Sequence, residues 1–516
     1  MYLNFTMTWV PNQDGGVIVQ QFYTNSSTLD IQRCVFYKCK VTDLKKGGAI
    51  YARSSENASL AISYTQFIEC EALQGGAFYI ELFNGLDVTL NELTFDKCIT
   101  YDGGYGGGTQ MRFDLDAQGT VIFTGTNIFN ECKANRGPAM YISLTLSQSS
   151  FQLTGTFQIK NCESALQGGG LYISNKCGTT NLSPTGTQNI FSNCTTQNIA
   201  GGIYSEVSSS GQLNIANTVF QDCTAHMYDT SQGGGALHCS INDGQISITN
   251  SQFTRCQLYQ GGCGGAIYFN RQSATSNISL TSTSFTDCKT LYNSSNQTFG
   301  WGGAVYLQIN VSSGSLTSTS LQMTGLSFSG CESCVGIGNN IHILSSDTQS
   351  TGQQIKDSSL ITVSGVNDLY TNANYAYDYM GINNNTAAGN VGTTNLDNHA
   401  PLFEQLFTLV VPNPSYIDAT NGQDIKYCGP LKAKCKKITF AIDRNTAPQT
   451  GSAPSMDTKF ELILTTTPSS DSNLKISLPT TYHNYITIQS IGYVSGGTGY
   501  TKQKISSSSN TNSLFS

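Results

Sequence analysis

The sequence predicts an all-β fold, a parallel β-solenoid of about ten coils. Three observations predict it: a composition poor in charge but rich in Gly and aromatics, a Phe-X-X-Cys element that keeps returning, and a Gly-Gly-Ala-(Ile/Val)-Tyr element that returns in phase with it. Of the 516 residues only 11% are charged, under half the ~25% of an average soluble protein. That argues against a helix bundle, whose surface is laced with Glu and Lys. A net charge of -7 offers no basic field for nucleic acid. With 24 Phe, 26 Tyr and 17 Cys, disorder is a poor reading as well.

The first element stands at Phe36-Cys39, Phe67-Cys70, Phe95-Cys98, Phe129-Cys132, Phe191-Cys194, Phe220-Cys223, Phe253-Cys256, Phe285-Cys288 and Phe328-Cys331, and Ile159-Cys162 fills the one gap. From Phe36 to Phe285 eight intervals cover 249 residues, a mean of about 31. The second element lies between them at Gly47–Tyr51, Gly75–Tyr79, Gly264–Tyr268 and Gly302–Tyr306, with looser copies at Gly137–Tyr141, Gly169–Tyr172, Gly201–Tyr204 and Gly234–His238. Alternating stretches such as Leu60-Ala61-Ile62 and Leu213-Asn214-Ile215 read as short strands. A unit of this size cannot bury its own apolar face, so the units must stack. The glycine pair suits a tight corner with positive φ and a close approach to the next coil. Phe and Tyr at fixed phase are expected to form internal stacks, one ring above another at the ~4.8 Å strand spacing, so that ten coils extend roughly 48 Å.

The residue before each repeat Cys gives an independent check. It runs Lys38, Glu69, Lys97, Glu131, Asn161, Asn193, Asp222, Arg255, Asp287, and its sign alternates wherever it is charged. Coils stacked in register place these side chains in one outward column, where opposite neighbours gain about 0.2–1 kcal/mol and like neighbours repel.

Gly-Gly-Ala-(Ile/Val)-Tyr alternating with Phe-X-X-Cys resembles the repeats of polymorphic outer membrane proteins, whose paired motifs are GGA(I/L/V) and FXXN. The resemblance covers about residues 30–345. It implies a right-handed parallel β-helix of the pectin-lyase-like class, used as a surface or adhesin passenger. Cys stands here where that family has Asn, so a thiol or disulfide ladder replaces an amide ladder. Nothing resembles the family's C-terminal membrane barrel, so autotransport is not carried over.

Residues 1–345 thus read as the repeat domain and 346–423 as a polar, irregular linker with one apolar run at Leu406–Val411. Residues 424–516 read as the capped start of a second β-helix. Tyr427-Cys428-Gly429-Pro430 and Lys434-Cys435-Lys436-Lys437-Ile438 are similar to the opening of many β-helix proteins, where a short helix caps the first coil. Ile438, Ala441 and Ile442 stand at i, i+3 and i+4, one apolar helical face. Cys428–Cys435 would tie that cap. A solenoid that stops after two or three coils exposes a strand edge. Such an edge suits head-to-tail self-association, and equally a piece of a longer chain.

Candidate chemistry is sparse. Glu69 and Glu131, two coils and roughly 9.6 Å apart, approach the range of inverting glycosidases, but Lys97 stands between them. Asp222 and Asp287 repeat the pattern around Arg255, and a charge ladder is the better reading of both. Asp114 and Asp116 follow the run Gly103–Gly108 without the spacing of calcium-binding solenoids. His226, His238, His342, His399 and His483 show no metal spacing, and His238 and His342 hold the Tyr position of the repeat. Cys331-X-X-Cys334 lacks the second pair of a zinc site. No catalytic residue, metal or cofactor is expected. Vertical neighbours in parallel strands lie within disulfide reach, so bridges such as Cys39–Cys70 or Cys98–Cys132 compete with buried thiols. Cys34, Cys177, Cys239, Cys263 and Cys334 could clip loops.

Sequons stand at Asn4, Asn25, Asn57, Asn181, Asn193, Asn277, Asn293, Asn296, Asn310 and Asn384. With the cysteine count they suit an extracellular glycoprotein carrying N-linked glycans. Met1 is followed by neither a basic nor an apolar leader region, which reads as a mature product or a piece of something longer. No run approaches the ~18 apolar residues of a membrane span. The expected role is a secreted structural protein, a building block of a fibre, filament or surface coat. The alternative is a carbohydrate-active enzyme, or an adhesin with a carbohydrate or cell-surface ligand.

Overall fold

The computed structural model describes the chain except at residues 1–2, 7–8, 11–13, 24–26, 43, 55–56, 84, 114–118, 146–148, 227–231, 292–299, 335, 390–397, 408–413, 425–427, 432–433, 447–459, 467–485 and 493–516. Two compact units result, residues 1–367 with 380–394, and residues 368–379 with 395–516.

The first unit is a parallel β-solenoid of about nine turns. Its strands form three sheets, called here the first, second and third. One coil shows the path. Ile50–Ser54 lies in the third sheet, Ala58–Ser63 and Gln66–Ile68 in the first, and Glu71–Gln74 in the second.

The repeats pair as their phase requires. In the first sheet Phe36, Phe67, Phe95, Phe129, Ile159, Phe191, Phe220, Phe253, Phe285 and Phe328 are successive partners. Their rings stack inside the coil with centroids 4.5–5.1 Å apart on either side of Ile159. At that gap Phe157 turns edge-on to Phe129 and Phe123, at 5.9 and 5.0 Å, and fills the volume a ring at 159 would need. At Gly47, Gly75, Gly234, Gly264 and Gly302 the first member of the pair takes a positive φ, +68° at Gly47, while ahead of Gly169 and Gly201 it is Gly168 and Ala200 that take it, at +64° and +65°. A Cβ added at Gly48 would overlap the carbonyl oxygen of Gly76.

The bend from the first to the second sheet is sharper than the sequence suggests. From Lys38 to Asp287 the residue before every ladder Cys sits in the left-handed region, with φ of 51–54°. None of the nine is Gly, and each costs roughly 1–2 kcal/mol. The bend persists because the backbone is tied to the next coil, as in Glu69 N–H to Asp96 O at 2.8 Å and Lys97 N–H to Asn130 O at 2.9 Å.

The stretch expected as an irregular linker carries regular structure. Thr348–Asp357 forms helix α1, whose N-cap Asp347 accepts from the Gln349 and Ser350 N–H groups. It packs on the strand Ile341–Ser345 and the 3-10 turn Ser313–Ser315, burying Ile355. The strands Ile361–Val363 and Tyr379–Asn383 continue the first and third sheets, and Asn384–Gly389 forms α2. With a single large apolar residue in its helix, this segment shows no amphipathic period to read.

In the second unit Ser415–Ile417, Phe460–Leu464 and Ile486–Ser490 form a three-stranded parallel sheet. Helix α3, Ile438–Thr446, buries Ile438, Ala441 and Ile442 against Ile417, Leu462 and Leu464, the face its spacing predicts. Cys428–Cys435 is a disulfide within the same core.

Candidate functional site: the outward columns

The outer face of the third sheet carries two neighbouring columns. The strand alternation turns Ile50, Ala52 and Ser54 inward and Tyr51 and Arg53 outward, and each coil repeats the pattern in register. The first column runs Tyr51, Tyr79, Gln110, Tyr141, Tyr172, Tyr204, His238, Tyr268, Tyr306, His342. From Tyr141 to His342 the rings stack continuously, with centroids 4.7–5.6 Å apart. Where Gln110 interrupts, Tyr105 from the second sheet stacks on Tyr141 at 5.1 Å. The rings are largely buried although they point outward, because residues of the second-sheet corner such as Ile199, Ala200 and Leu258 pack against Tyr172 and Tyr204.

The second column holds the charges. Glu81 accepts from the Tyr51 hydroxyl at 3.0 Å and the Tyr79 hydroxyl at 3.5 Å, and pairs with Lys46 at 3.5 Å and Arg53 at 3.7 Å. Glu206 accepts from Tyr204 at 2.8 Å, and Arg136 lies 5.4 Å over the Tyr105 and Tyr172 rings. Burial, and after it the Glu206 carboxylate, raises the Tyr204 hydroxyl well above the usual phenol range. Glu81 and Glu206 stand four register steps apart, about 19 Å. That separation is twice what a glycosidase pair spans. The ring faces are turned to one another, so the column offers edges and hydroxyls rather than the open faces on which sugars stack.

The column of residues preceding the cysteines behaves as its signs predict. Lys38 pairs with Glu69 at 3.5 Å, Lys97 with Glu131 at 4.0 Å, and Arg255 holds Asp222 in a two-bond fork at 2.8 and 2.9 Å. The Arg255 bonds hold the Asp222 carboxyl below its ordinary range. Asn193 donates to Asn161 at 3.3 Å, and Asn161 to Asn130 at 3.2 Å. Sequence reasoning missed a second ladder one residue after the cysteines, where Lys40–Glu71, Lys133–Glu163 and Lys289–Glu332 pair at 2.8–3.0 Å. The same alternation test, read at that position, finds it.

The ladder cysteines, including Cys39, Cys70, Cys98 and Cys132, stand as thiols. From Cys70 to Cys331 each Sγ donates to the carbonyl of the Phe-position residue one coil back, at 3.3–3.8 Å. Off the ladder, burial pushes the Cys239 and Cys263 thiols up to about 12. His226 stacks on Tyr259 at 4.7 Å. The His238 Nδ1–H donates to Gly233 O at 3.1 Å, and burial pulls its pKa down to about 4. His399 is buried, while Asp114, Asp116 and His483 lie outside the described residues.

Among the sequons, Asn57, Asn193 and Asn310 are exposed, and Asn181, Asn277 and Asn384 are half-buried. Asn4 lies in the strand Leu3–Thr6, and Asn25, Asn293 and Asn296 lie outside the described residues. A feature the sequence did not mark is Arg271, fully buried in the third sheet. Its guanidinium donates to Ser276 O, Ala274 O and Ser315 Oγ at 2.9–3.2 Å.

Among the described residues no three or more His, Cys, Asp or Glu side chains gather as a metal site. Nor, among them, is any helix long and apolar enough to cross a membrane. Comparison with family models, with curated proteins and with solved structures returned no match.

Proposed function

We propose that the chain is a structural element of an extracellular surface, a glycosylated β-solenoid rod that contributes to a fibre or coat. The observation that carries the reading is the use made of charge. Coil-to-coil ion pairs, Lys38–Glu69, Lys97–Glu131, Asp222–Arg255, Lys40–Glu71, Lys133–Glu163 and Lys289–Glu332, hold one turn to the next. An enzyme or lectin on this scaffold would instead converge such side chains on one groove. Burial of Phe, Cys and Tyr in continuous columns serves the same end, resistance of the rod to unwinding. The likeness of the repeats to polymorphic outer membrane proteins supports a right-handed, pectin-lyase-like coil used as a surface passenger.

Two measurements test this. Incubation with pectin and alginate panels is expected to release no reducing sugar or unsaturated product. Release that disappears in Glu81→Gln or Glu206→Gln would replace the reading with the enzymatic one. Glycan mapping of material secreted from a eukaryotic host is expected to find Asn57, Asn193 and Asn310 occupied. Asn181, mid-strand and accepting from the Asn214 amide at 2.6 Å, is expected to stay bare. Bare asparagines at all four positions would count against a glycosylated rod.

A further inference from the structure

The ten ladder cysteines, Cys39, Cys70, Cys98, Cys132, Cys162, Cys194, Cys223, Cys256, Cys288 and Cys331, form one inward column with one member in each successive coil. Their register is set by the backbone: Glu71 N–H donates to Cys39 O, Ile99 N–H to Cys70 O, Lys133 N–H to Cys98 O, and so on to Glu332 N–H and Cys288 O. Neighbouring Cα atoms are therefore about one strand spacing apart, ~4.8 Å, inside the 4.4–6.8 Å that a disulfide accepts. Nine of the ten are buried, and Cys331 alone is partly exposed.

We propose that this column is a disulfide relay, closing on oxidation into five bridges between successive coils: Cys288–Cys331, Cys223–Cys256, Cys162–Cys194, Cys98–Cys132 and Cys39–Cys70. Two features set that phase. The number of thiols is even, so only this phase leaves none over, and the oxidant meets the column at Cys331, from which pairs are counted inward.

The chemistry is thiol–disulfide exchange with a small-molecule disulfide. The Cys331 thiolate attacks the external disulfide, forming a mixed disulfide and releasing one small thiolate. The Cys288 thiolate then displaces the second, so the protein pair is oxidised by two electrons and the external disulfide is reduced by two. The two protons leave on the two released thiols. Deeper pairs close by exchange within the column. Cys256 attacks the Cys288 sulfur of the finished bridge, forming Cys256–Cys288 and returning Cys331 as a thiol. Cys223 then attacks Cys256, forming Cys223–Cys256 and returning Cys288. Each exchange consumes one thiol and returns one, the proton passing to the released sulfur, and a second external disulfide recloses Cys288–Cys331. Oxidation thus advances two coils at a time without opening the core.

The relay deepens the structural reading, since each bridge staples one coil to the next. It rests on that reading only for its oxidant in the living setting. Oxidation of purified protein tests it separately from the polysaccharide and glycan experiments.

The test is oxidation of the folded, reduced full chain with glutathione disulfide, then denaturation, alkylation and disulfide mapping by mass spectrometry. The expected result is loss of all ten ladder thiols and recovery of the five named bridges. In Cys194→Val the exchange cannot cross the gap, so Cys223–Cys256 and Cys288–Cys331 close while the five thiols from Cys39 to Cys162 remain alkylatable. The relay is overturned by ten alkylated cysteines, by closure of Cys288–Cys331 alone, or by the opposite phase with Cys39 and Cys331 left over. Closure of the N-terminal pairs in Cys194→Val overturns it too, because it shows oxidation through opened coils.

Discussion

At the scale of single residues, two buried groups show how much this core depends on partners that the repeat pattern does not specify. Arg271 occupies an inward position whose neighbours one coil away on either side are Ile241 and Ile309, and among the described residues it pairs with no carboxylate. Instead it supplies donors to the carbonyls of Ala274 and Ser276. Arg271→Met keeps the volume but strands those acceptors, so stability should fall by about 2–4 kcal/mol, read as a lower denaturant midpoint. His238 sits between Tyr204 and Tyr268, 4.8 and 4.7 Å from their rings. Its folded pKa of about 4 lies below the unfolded value of 6.5, so the unfolded chain binds the extra proton between them. Its contribution is complete above about pH 6.5 and is lost as pH falls from there toward 4, the loss reaching about 2 kcal/mol at pH 5. His238→Phe keeps a ring in the stack and should remove that component from stability measured at pH 7 and pH 5. Equal pH dependence in the two proteins would show that His238 is not buried neutral. The role of Arg271 was not readable beforehand, whereas that of His238 was readable in part. The repeat places His238 in a stack, but only the corner carbonyl of Gly233 shows which nitrogen carries its proton.

At the scale of the element, the unit is a column across coils rather than a strand. The repeat phase and the alternating signs before the cysteines were enough to place the Phe stack and the first charge ladder, and to align the Tyr rings, but they put the Tyr stack inside the coil where the structure turns it outward under the second-sheet corner. What they could not show is the left-handed bend beneath that ladder. Lys, Glu and Arg have no preference for positive φ, and only stacked carbonyls hold them there. Glu69→Lys tests the column directly, because it sets a third cation between Lys38 and Lys97, one coil from each. Stability should drop by about 1 kcal/mol, and adding Lys38→Glu should recover roughly half. No change in either variant would mean the pairs are too solvated to matter. The gap at Ile159 is informative in the same way. The sequence shows a missing Phe, and only packing shows that Phe157, two residues earlier, takes its volume.

At the scale of the whole molecule, periodic regions were legible and aperiodic ones were not. The solenoid follows from the repeat period together with short alternating stretches that carry no helical pattern. Helix α1 was hidden because Thr348–Asp357 holds one large apolar residue, and its position is set by the Asp347 cap and by Ile355 seated against the coil. In the second unit the short spacing of Cys428 and Cys435 and the i, i+3, i+4 face of α3 were both readable, since each is a local pattern. The candidate surface was legible only as columns. Which hydroxyl reaches Glu81 or Glu206 depends on corner packing that a linear pattern does not carry.

The ladders and the rod alike require one turn of the solenoid for each repeat, and distance measurement between paired spin labels tests this most directly. Labels carried on unnatural amino acids would be placed at Lys97 together with Asn193, Arg255 or Asp287, all in the column of left-handed residues. These lie three, five and six coils away, so the separations should rise in near-equal steps per coil, to about 14, 24 and 29 Å. Separations that do not increase with coil number would contradict the winding, and with it both the ladders and the proposed role.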